Sequence, residues 1–431
     1  MTHPSPMKND VELIVEKVVP GGRGLGRLPD GRPAMISGAF PGERVRLRMV
    51  RDRRSYVEAH AELLEGRRRV APGCSVAEVC GGCDWITLDL EAQREHKLEL
   101  VREALRRTGG VDEPPGLRLV TSGEPWGYRT RIRLRLRGGQ VGFHAAGSHE
   151  LVEPDECLVG TPEVGAALAR LRRALGRVAP IGDELTSVEI RCAPGAPRAS
   201  FFFTRERGRA LSARGRELLA ELRREDVVVL EGDGASGRGA ELERFELDGC
   251  YLLAAPGTFT QVNWAVNRAL VREIVEGARR RGARSFADLY CGSGNFSLPL
   301  AAAGLEGKGV EASAASIAAL RRAAAEQGFD AASFEVGQVG EVARRWARAG
   351  ERFDLVIVDP PRAGAKDALQ AIASLTAGAL VMVSCDPVTL ARDLRALRQR
   401  GLVLEEVLAF DMFPQTHHVE CVAWLRPARG G

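Results

Sequence analysis

The stretch Asp288-Leu289-Tyr290-Cys291-Gly292-Ser293-Gly294-Asn295-Phe296 decides the reading of this chain. Ser285–Leu289 reads as a strand and Ser297–Ala303 as a helix. The glycines between them make a turn that lets a ligand approach the backbone closely. A second strand, Gly307–Val310, ends in Glu311, which follows Asp288 by 23 residues. An acid at that spacing grips ribose hydroxyls in nucleotide-binding α/β folds. Strand, glycine turn, helix and spaced acid together predict a Rossmann-like sheet. The single strand-turn shape suits S-adenosylmethionine better than a pyrophosphate. Asp288, Tyr290, Gly292, Gly294, Phe296 and Glu311 are the expected cofactor contacts.

Further βα units follow, with strands at Ser333–Val336, Phe353–Val358 and Ala379–Ser384. Gln338 stands after the third of these cofactor-side strands, where an acid or polar contact is expected. Val356-Ile357-Val358 runs into Asp359-Pro360-Pro361-Arg362, and Val381-Met382-Val383-Ser384 runs into Cys385-Asp386-Pro387. Two parallel strands that stop abruptly put Asp359 and Cys385 on one rim of the sheet, where open α/β sheets bind ligands. Leu402–Phe410 and Val419–Leu425 read as an antiparallel hairpin, which returns Glu420 to the same rim. Upstream, Gly257–Asn263 leads into a helix, Ala265–Arg280, and supplies Phe259 as a stacking platform and Gln261 as a cofactor or base contact. Cys291, in the glycine loop, reads as a packing residue.

The 431 residues exceed one ordinary core, and 45% hydrophobic with 27% charged residues is the balance of a soluble globular protein. No apolar run reaches the ~18–20 residues of a membrane span, and Met1–Asp10 lacks the apolar stretch of a signal peptide. A cytoplasmic location and a monomer are expected. Residues 1–70 carry 14 Lys/Arg against 9 Asp/Glu, whereas the whole chain is only +4. A basic N-terminal module suits a polyanion such as structured RNA. Its short strands and turns, over residues 8–66, predict a small β-barrel of the OB type. Residues 67–256 read as a central α+β domain and 257–431 as the α/β domain.

Cys74-x5-Cys80-Gly81-Gly82-Cys83, with Cys157 further on, stands at the head of the central domain. Four thiols of this kind suit a tetrahedral zinc or an iron–sulfur cluster, and spacing does not choose between them. An odd total of nine cysteines in a reducing compartment speaks for metal ligands and a catalytic thiol rather than disulfides. Leu88–Arg107 reads as an amphipathic helix. Arg129, Arg131, Arg133, Arg135 and Arg137 alternate with Ile132, Leu134 and Leu136. On a strand this period puts all five guanidinium groups on one face, a stripe that can track a phosphate backbone. Gln140–His144 reads as its hairpin partner; further helices are expected at 162–175 and 210–222, and strands at 187–192, 199–204, 226–231 and 243–254.

Asp288–Phe296, Asp359-Pro-Pro-Arg-x-Gly364, Ser384-Cys-Asp-Pro-x-Thr-Leu-Ala-Arg-Asp393 and Asp411-Met-Phe-Pro-x-Thr-x-His418-x-Glu420 together resemble the RNA 5-methyluridine methyltransferases. Gly21–Gly26, Asp30-Gly31-Arg32 and Phe40–Val45 resemble a TRAM domain, an RNA-binding module. The resemblance implies a [4Fe–4S] cluster on Cys74, Cys80, Cys83 and Cys157. It also favours the 23S rRNA branch of the family over the tRNA branch, which generally lacks both features. Carbon 5 of uracil is too electron-poor to take a methyl group directly, so a thiolate must first add at carbon 6. The resemblance gives Cys385 that role. It makes Glu420 the base that removes the carbon 5 proton, and Asp359 an orienting group and cofactor contact. A base in structured RNA must be flipped out to be reached. RNA cytosine-5 methylation shares this thiol chemistry. A binding-only iron–sulfur protein would not need Cys385 and Glu420 intact.

Overall fold

The computed structural model describes residues 11–121, 123–178, 181–230 and 241–428. The polar start, with the first residues of the 8–66 module, lies outside the described residues. So do Glu231, at the end of the expected 226–231 strand, and residues 429–431.

An eight-stranded sheet carries the carboxyl-terminal half. Its order is Phe334–Val336, Glu306–Glu311, Ser285–Leu289, Phe353–Val358, Thr376–Ser384, Glu420–Pro427, Leu402–Phe410 and Arg118–Val120. The first five strands are parallel and Glu420–Pro427 runs antiparallel to both neighbours. Continuous apolar runs such as Leu355–Val358 and Leu380–Val383 are fully buried, as strands covered on both faces must be. Helices Trp264–Arg280 and Ala314–Glu326 cover one face; Val339–Arg348 and Pro387–Arg398 cover the other. The helix Leu90–Ala104 and the edge strand Arg118–Val120 come from the segment expected in the central domain, yet both pack on this sheet.

A second sheet, of six strands, is ordered Leu151–Val152, Gln140–His144, Arg131–Arg137, Leu185–Arg191, Ser200–Arg205 and Val227–Leu230. Pro162–Val178 and Ala213–Leu222 pack on it through Leu168, Leu171 and Leu219. The expected single strand over 243–254 is instead a hairpin, Glu243–Leu247 against Cys250–Ala254. Asp248-Gly249 makes the turn, with Gly249 at φ 83°; that dipeptide is a hairpin signal between the largely charged Glu243–Leu247 and the apolar run that begins at Cys250.

The N-terminal strands form a third sheet, ordered Glu12–Ile14, Arg44–Asp52, Val57–Glu65, Pro33–Ser37, Arg23–Arg27 and Lys17–Val19. Its two edges are one bent stretch of chain. Val15 N donates to Glu43 O and Glu16 N to Leu25 O, so the sheet closes on itself around Val15, Ile36 and Leu47. Arg44, Arg46 and Arg48 face Glu12, Glu62 and Glu65 across the strands, which neutralises much of the module's basic charge.

Gly277 shows how closely helix and sheet approach. A Cβ built there would run into the indole of the fully buried Trp424. Alanine normally gains about 1 kcal/mol over glycine in a helix, but an overpacked core site loses about 1–3 kcal/mol. Gly277→Ala should therefore lower stability by up to about 2 kcal/mol in denaturant titration; a gain would mean the sheet yields at Trp424.

Candidate active site and cysteine cavity

Strand register assembles the reaction site. Ser384 pairs with Cys421, and one step further along an antiparallel ladder Cys385 and Glu420 become neighbours. Val358 pairs with Met382, so Asp359 leaves the sheet level with Val383, two residues before Cys385 and on the same rim. Each strand is stopped locally. Pro360 and Pro361 follow Asp359, while Asp386 caps the next helix through Thr389 N (2.6 Å), with Pro387 in its first turn. Cys385 is thus held between a strand end and a helix N-terminus.

These groups line one cavity of about 1270 Å³. That exceeds the ~300–1,000 Å³ of a single small-molecule site and leaves room for a cofactor beside a nucleotide. Cys385, Asp359 and Glu420 line it together with Tyr290, Gly292, Glu311, Gln338, Phe259 and Gln261. Glu311 accepts from Ser313 N (2.8 Å) and Gly292 N (3.3 Å), which fixes its carboxylate at the turn. Tyr290 sits at φ 68°, a conformation rare for a non-glycine residue, and carries its ring to the cavity. Phe296 lines a small adjoining pocket with Gln261 and Ser293.

Two expected cofactor residues lie beneath the turn rather than on the cavity wall. Asp288 is fully buried and accepts from Ser297 Oγ (2.6 Å). Gly294, at φ 92°, packs against Leu298 and Leu320, where a Cβ would collide. Cys291 is buried beside Gly309, in keeping with a packing role.

The electrostatics are those of acids withdrawn from water. Burial, followed by the charge of Asp288, pushes Asp359 up to about 7. Burial and then Asp359 raise Glu420 well above the usual carboxylate range. Burial and then Glu420 raise the Cys385 thiol, and Arg362 opposes them by its charge and a hydrogen bond to that thiol. Burial holds His418 down at about 4, so its ring is neutral near pH 7. Arg362, Phe413, His418 and Arg344 line the cavity although sequence reasoning gave them no role. The first three lay inside the motifs, whereas Arg344 is one arginine among many on an exposed helix face.

The arginine stripe divides. Ile132, Leu134 and Leu136 point into the core while Arg133, Arg135 and Arg137 are exposed, and among the described residues these three make no ion pair. Arg131 is half-buried, 3.5 Å from Glu189, with its guanidinium over the Phe259 ring. Arg129 precedes the strand and lines both the large cavity and a second one.

That second cavity brings Cys74, Cys80, Cys83 and Cys157 together, with Ile86, Trp126 and Phe143 around them. Burial pushes Cys83 up to about 12, and the charge of Arg129 opposes this. Four thiols around one apolar pocket fit a metal group as a donor set. Among the described residues, however, no three of His, Cys, Asp or Glu close around a single ion.

The family model described as tRNA (uracil-5-)-methyltransferase matches residues 250–428. The 23S rRNA (uracil(1939)-C(5))-methyltransferase RlmD of Shewanella halifaxensis is 34% identical over 426 residues, covering 91% of each chain. That of Alkalilimnicola ehrlichii is 35% identical over 432 residues, covering 96% of this chain and 95% of its own. The chain belongs to the RNA uracil-C5 methyltransferase family. A solved family structure, the Pyrococcus abyssi tRNA (uracil-54, C5)-methyltransferase in complex with S-adenosyl-L-homocysteine, superposes with a TM-score of 0.74 at 25% identity, covering 96% of this chain and 99% of its own. The family is S-adenosylmethionine-dependent, and the site suits that cofactor. Asp288 Oδ1, Ser293 Oγ and Thr260 Oγ1 are buried around the glycine turn without a partner, beside the Glu311 carboxylate. No helix among the described residues is long and apolar enough to cross a membrane.

Arg362 favours the charged form of Cys385, so its removal should raise the thiol further. Alkylation of Cys385 by iodoacetamide, followed by mass spectrometry, should increase with pH. In Arg362→Met the rise should shift toward alkaline pH by about one unit. An unmoved or acid-shifted profile would contradict the pairing.

Proposed function

We propose that this chain methylates carbon 5 of a flipped uridine in 23S rRNA. The observation that carries the reading is the meeting of Cys385, Glu420 and Asp359 in one cavity with the glycine turn and Glu311. When bound, S-adenosylmethionine supplies an electrophilic methyl group. Tyr290, Gly292, Glu311 and Gln338 hold it, with the buried Asp288 supporting the turn from below. Cys385, as thiolate, adds to carbon 6 and the electron pair moves onto the ring, which makes carbon 5 a nucleophile. After methyl transfer, ionised Glu420 takes the carbon 5 proton. The electrons re-form the ring double bond and expel the Cys385 thiolate. Asp359 and the neutral His418 orient the base from the cavity wall, and Phe259 stacks at its mouth. Arg131 and the exposed Arg133 contact the RNA backbone, and Arg129 faces it from the wall shared with the cysteine cavity.

The N-terminal module, residues 8–66, whose described strands run from Glu12 to Glu65, acts as a TRAM-like RNA module. Residues 67–256 form the central domain and 257–431 the catalytic one, in a monomer that works in the cytoplasm where its RNA is. Cys74, Cys80, Cys83 and Cys157 hold a [4Fe–4S] cluster, a reading supported by four thiols sharing one apolar pocket and by the family resemblance of the Cys-x5-Cys-Gly-Gly-Cys loop. A tRNA uridine is the second reading, favoured by the superposition on the P. abyssi tRNA enzyme.

Labelled methyl transfer to a 23S rRNA fragment should exceed transfer to tRNA by at least about tenfold. The reverse ratio would select the second reading. Glu420→Gln should leave methylated RNA covalently attached to the protein, and free methylated product at the normal rate would remove the base role. Protein purified without oxygen should carry roughly four iron and four sulfide per chain, and Cys83→Ser should lose them. Stoichiometric zinc would overturn the cluster.

A further inference from the structure

The turn Asp411–His418 carries Phe413 and His418 into the cavity and leads directly into Glu420. It is not held by its own hairpin alone. Gln93, fully buried on the helix Leu90–Ala104, donates from Nε2 to Gln415 Oε1 (2.9 Å) and accepts from Gln415 N (2.8 Å). Trp85 O (3.1 Å) and Leu88 O (2.9 Å) also lie within hydrogen-bonding distance of this Nε2, so its two protons are shared among three acceptors. Trp85 N in turn donates to Gln415 O (3.0 Å). One helical turn on, Lys97 Nζ donates to Asp411 Oδ1 (2.5 Å) and Phe413 O (2.9 Å). Tyr128 OH donates to Pro414 O (2.9 Å). Asp84, next to Cys83, pairs with His417 at both its backbone N (3.2 Å) and its Nδ1 (2.6 Å).

The turn needs this grip. Gln415 sits at φ 70°, a strained backbone state for a residue with a side chain, which persists only where the surroundings over-determine it. The N-terminal module closes the same joint. Trp85 Nε1 donates to Gly22 O (3.0 Å), and a Cβ on Gly22 would strike Asp84 and His417.

We infer that Gln93, with Lys97 and Asp84, is a positioning residue for the reaction. The segment that starts in the cysteine loop and continues into the helix clamps the strained 411–418 turn, and so sets Phe413, His418 and Glu420 against the bound base. The cysteine loop then acts on the chemistry through Asp84 and Trp85 without touching substrate. The cofactor side, built on the strand ends at Tyr290 and Glu311, lies outside this clamp.

The kinetic arm of the test rests on the proposed methyl transfer; the exchange arm does not. In Gln93→Ala, hydrogen–deuterium exchange should rise at least roughly tenfold in peptides covering 411–420, while the strands Ser285–Leu289 and Phe353–Val358 keep their protection. Affinity for S-adenosylmethionine should stay within about twofold, and kcat on a 23S rRNA fragment should fall about 10²-fold, the scale of a small misplacement of a reacting group. His417→Ala, at the surface end of the clamp, should show the same pattern at smaller amplitude. Unchanged exchange at 411–420 in both variants overturns the inference. So does a loss of protection and cofactor affinity that spreads evenly over the sheet. If the wild-type protein methylates no RNA, the proposed function fails while the exchange result still decides the clamp.

Discussion

The pairing of Thr376–Ser384 with the antiparallel strand Glu420–Pro427 is the constraint on which the site depends. A one-residue slip would turn every side chain of that strand to the opposite face. Alternate residues there belong to two different cores: Val422 and Trp424 to one face, Cys421, Ala423 and Leu425 to the other. The register is therefore set by burial on both sides. Glu420 meets Cys385 as a consequence of packing spread along the whole strand.

That placement brings an electrostatic cost with a chemical use. Glu420, Asp359 and the Cys385 thiol are all pushed toward their neutral forms by burial, with Asp288 adding to it at Asp359, Asp359 at Glu420, and Glu420 then Asp359 at Cys385. Anions crowded in a poorly solvated pocket cannot all ionise at once. Arg362 is the cation that opposes this at the thiol, although burial and Glu420 still leave Cys385 raised. An acid with a raised pKa is also a stronger base once ionised, which suits Glu420 to removing a carbon-bound proton.

Much of this was legible in the sequence because it is local. The glycine turn with its spaced acid, the two strands that end in Asp359 and Cys385, and the closing hairpin all sit within short windows of clear period. The rest depends on contacts that span the chain. Gln93 and Gln415 are 322 residues apart, and Lys97 and Asp411 are 314 apart; before folding they are ordinary polar residues on a helix and in a turn. Arg129 continues the alternation of the arginines by sequence, but the strand begins at Arg131, so period 2 no longer governs where Arg129 points. The Asp248-Gly249 turn lies within residues 243–254, which read as one strand until pairing partners are known. Asp288 and Gly294 carry the cofactor motif, yet they lie beneath the turn rather than on the cavity wall.

The central claim is that Cys385 forms a covalent bond with the target base. RNA carrying 5-fluorouridine at the target, with S-adenosylmethionine present, should trap the protein, because fluorine cannot be removed from carbon 5 as a proton is. Digestion and mass spectrometry should place the methylated nucleotide adduct on Cys385, and Cys385→Ala should give no adduct. An adduct on another residue, or one that survives in Cys385→Ala, would contradict the account.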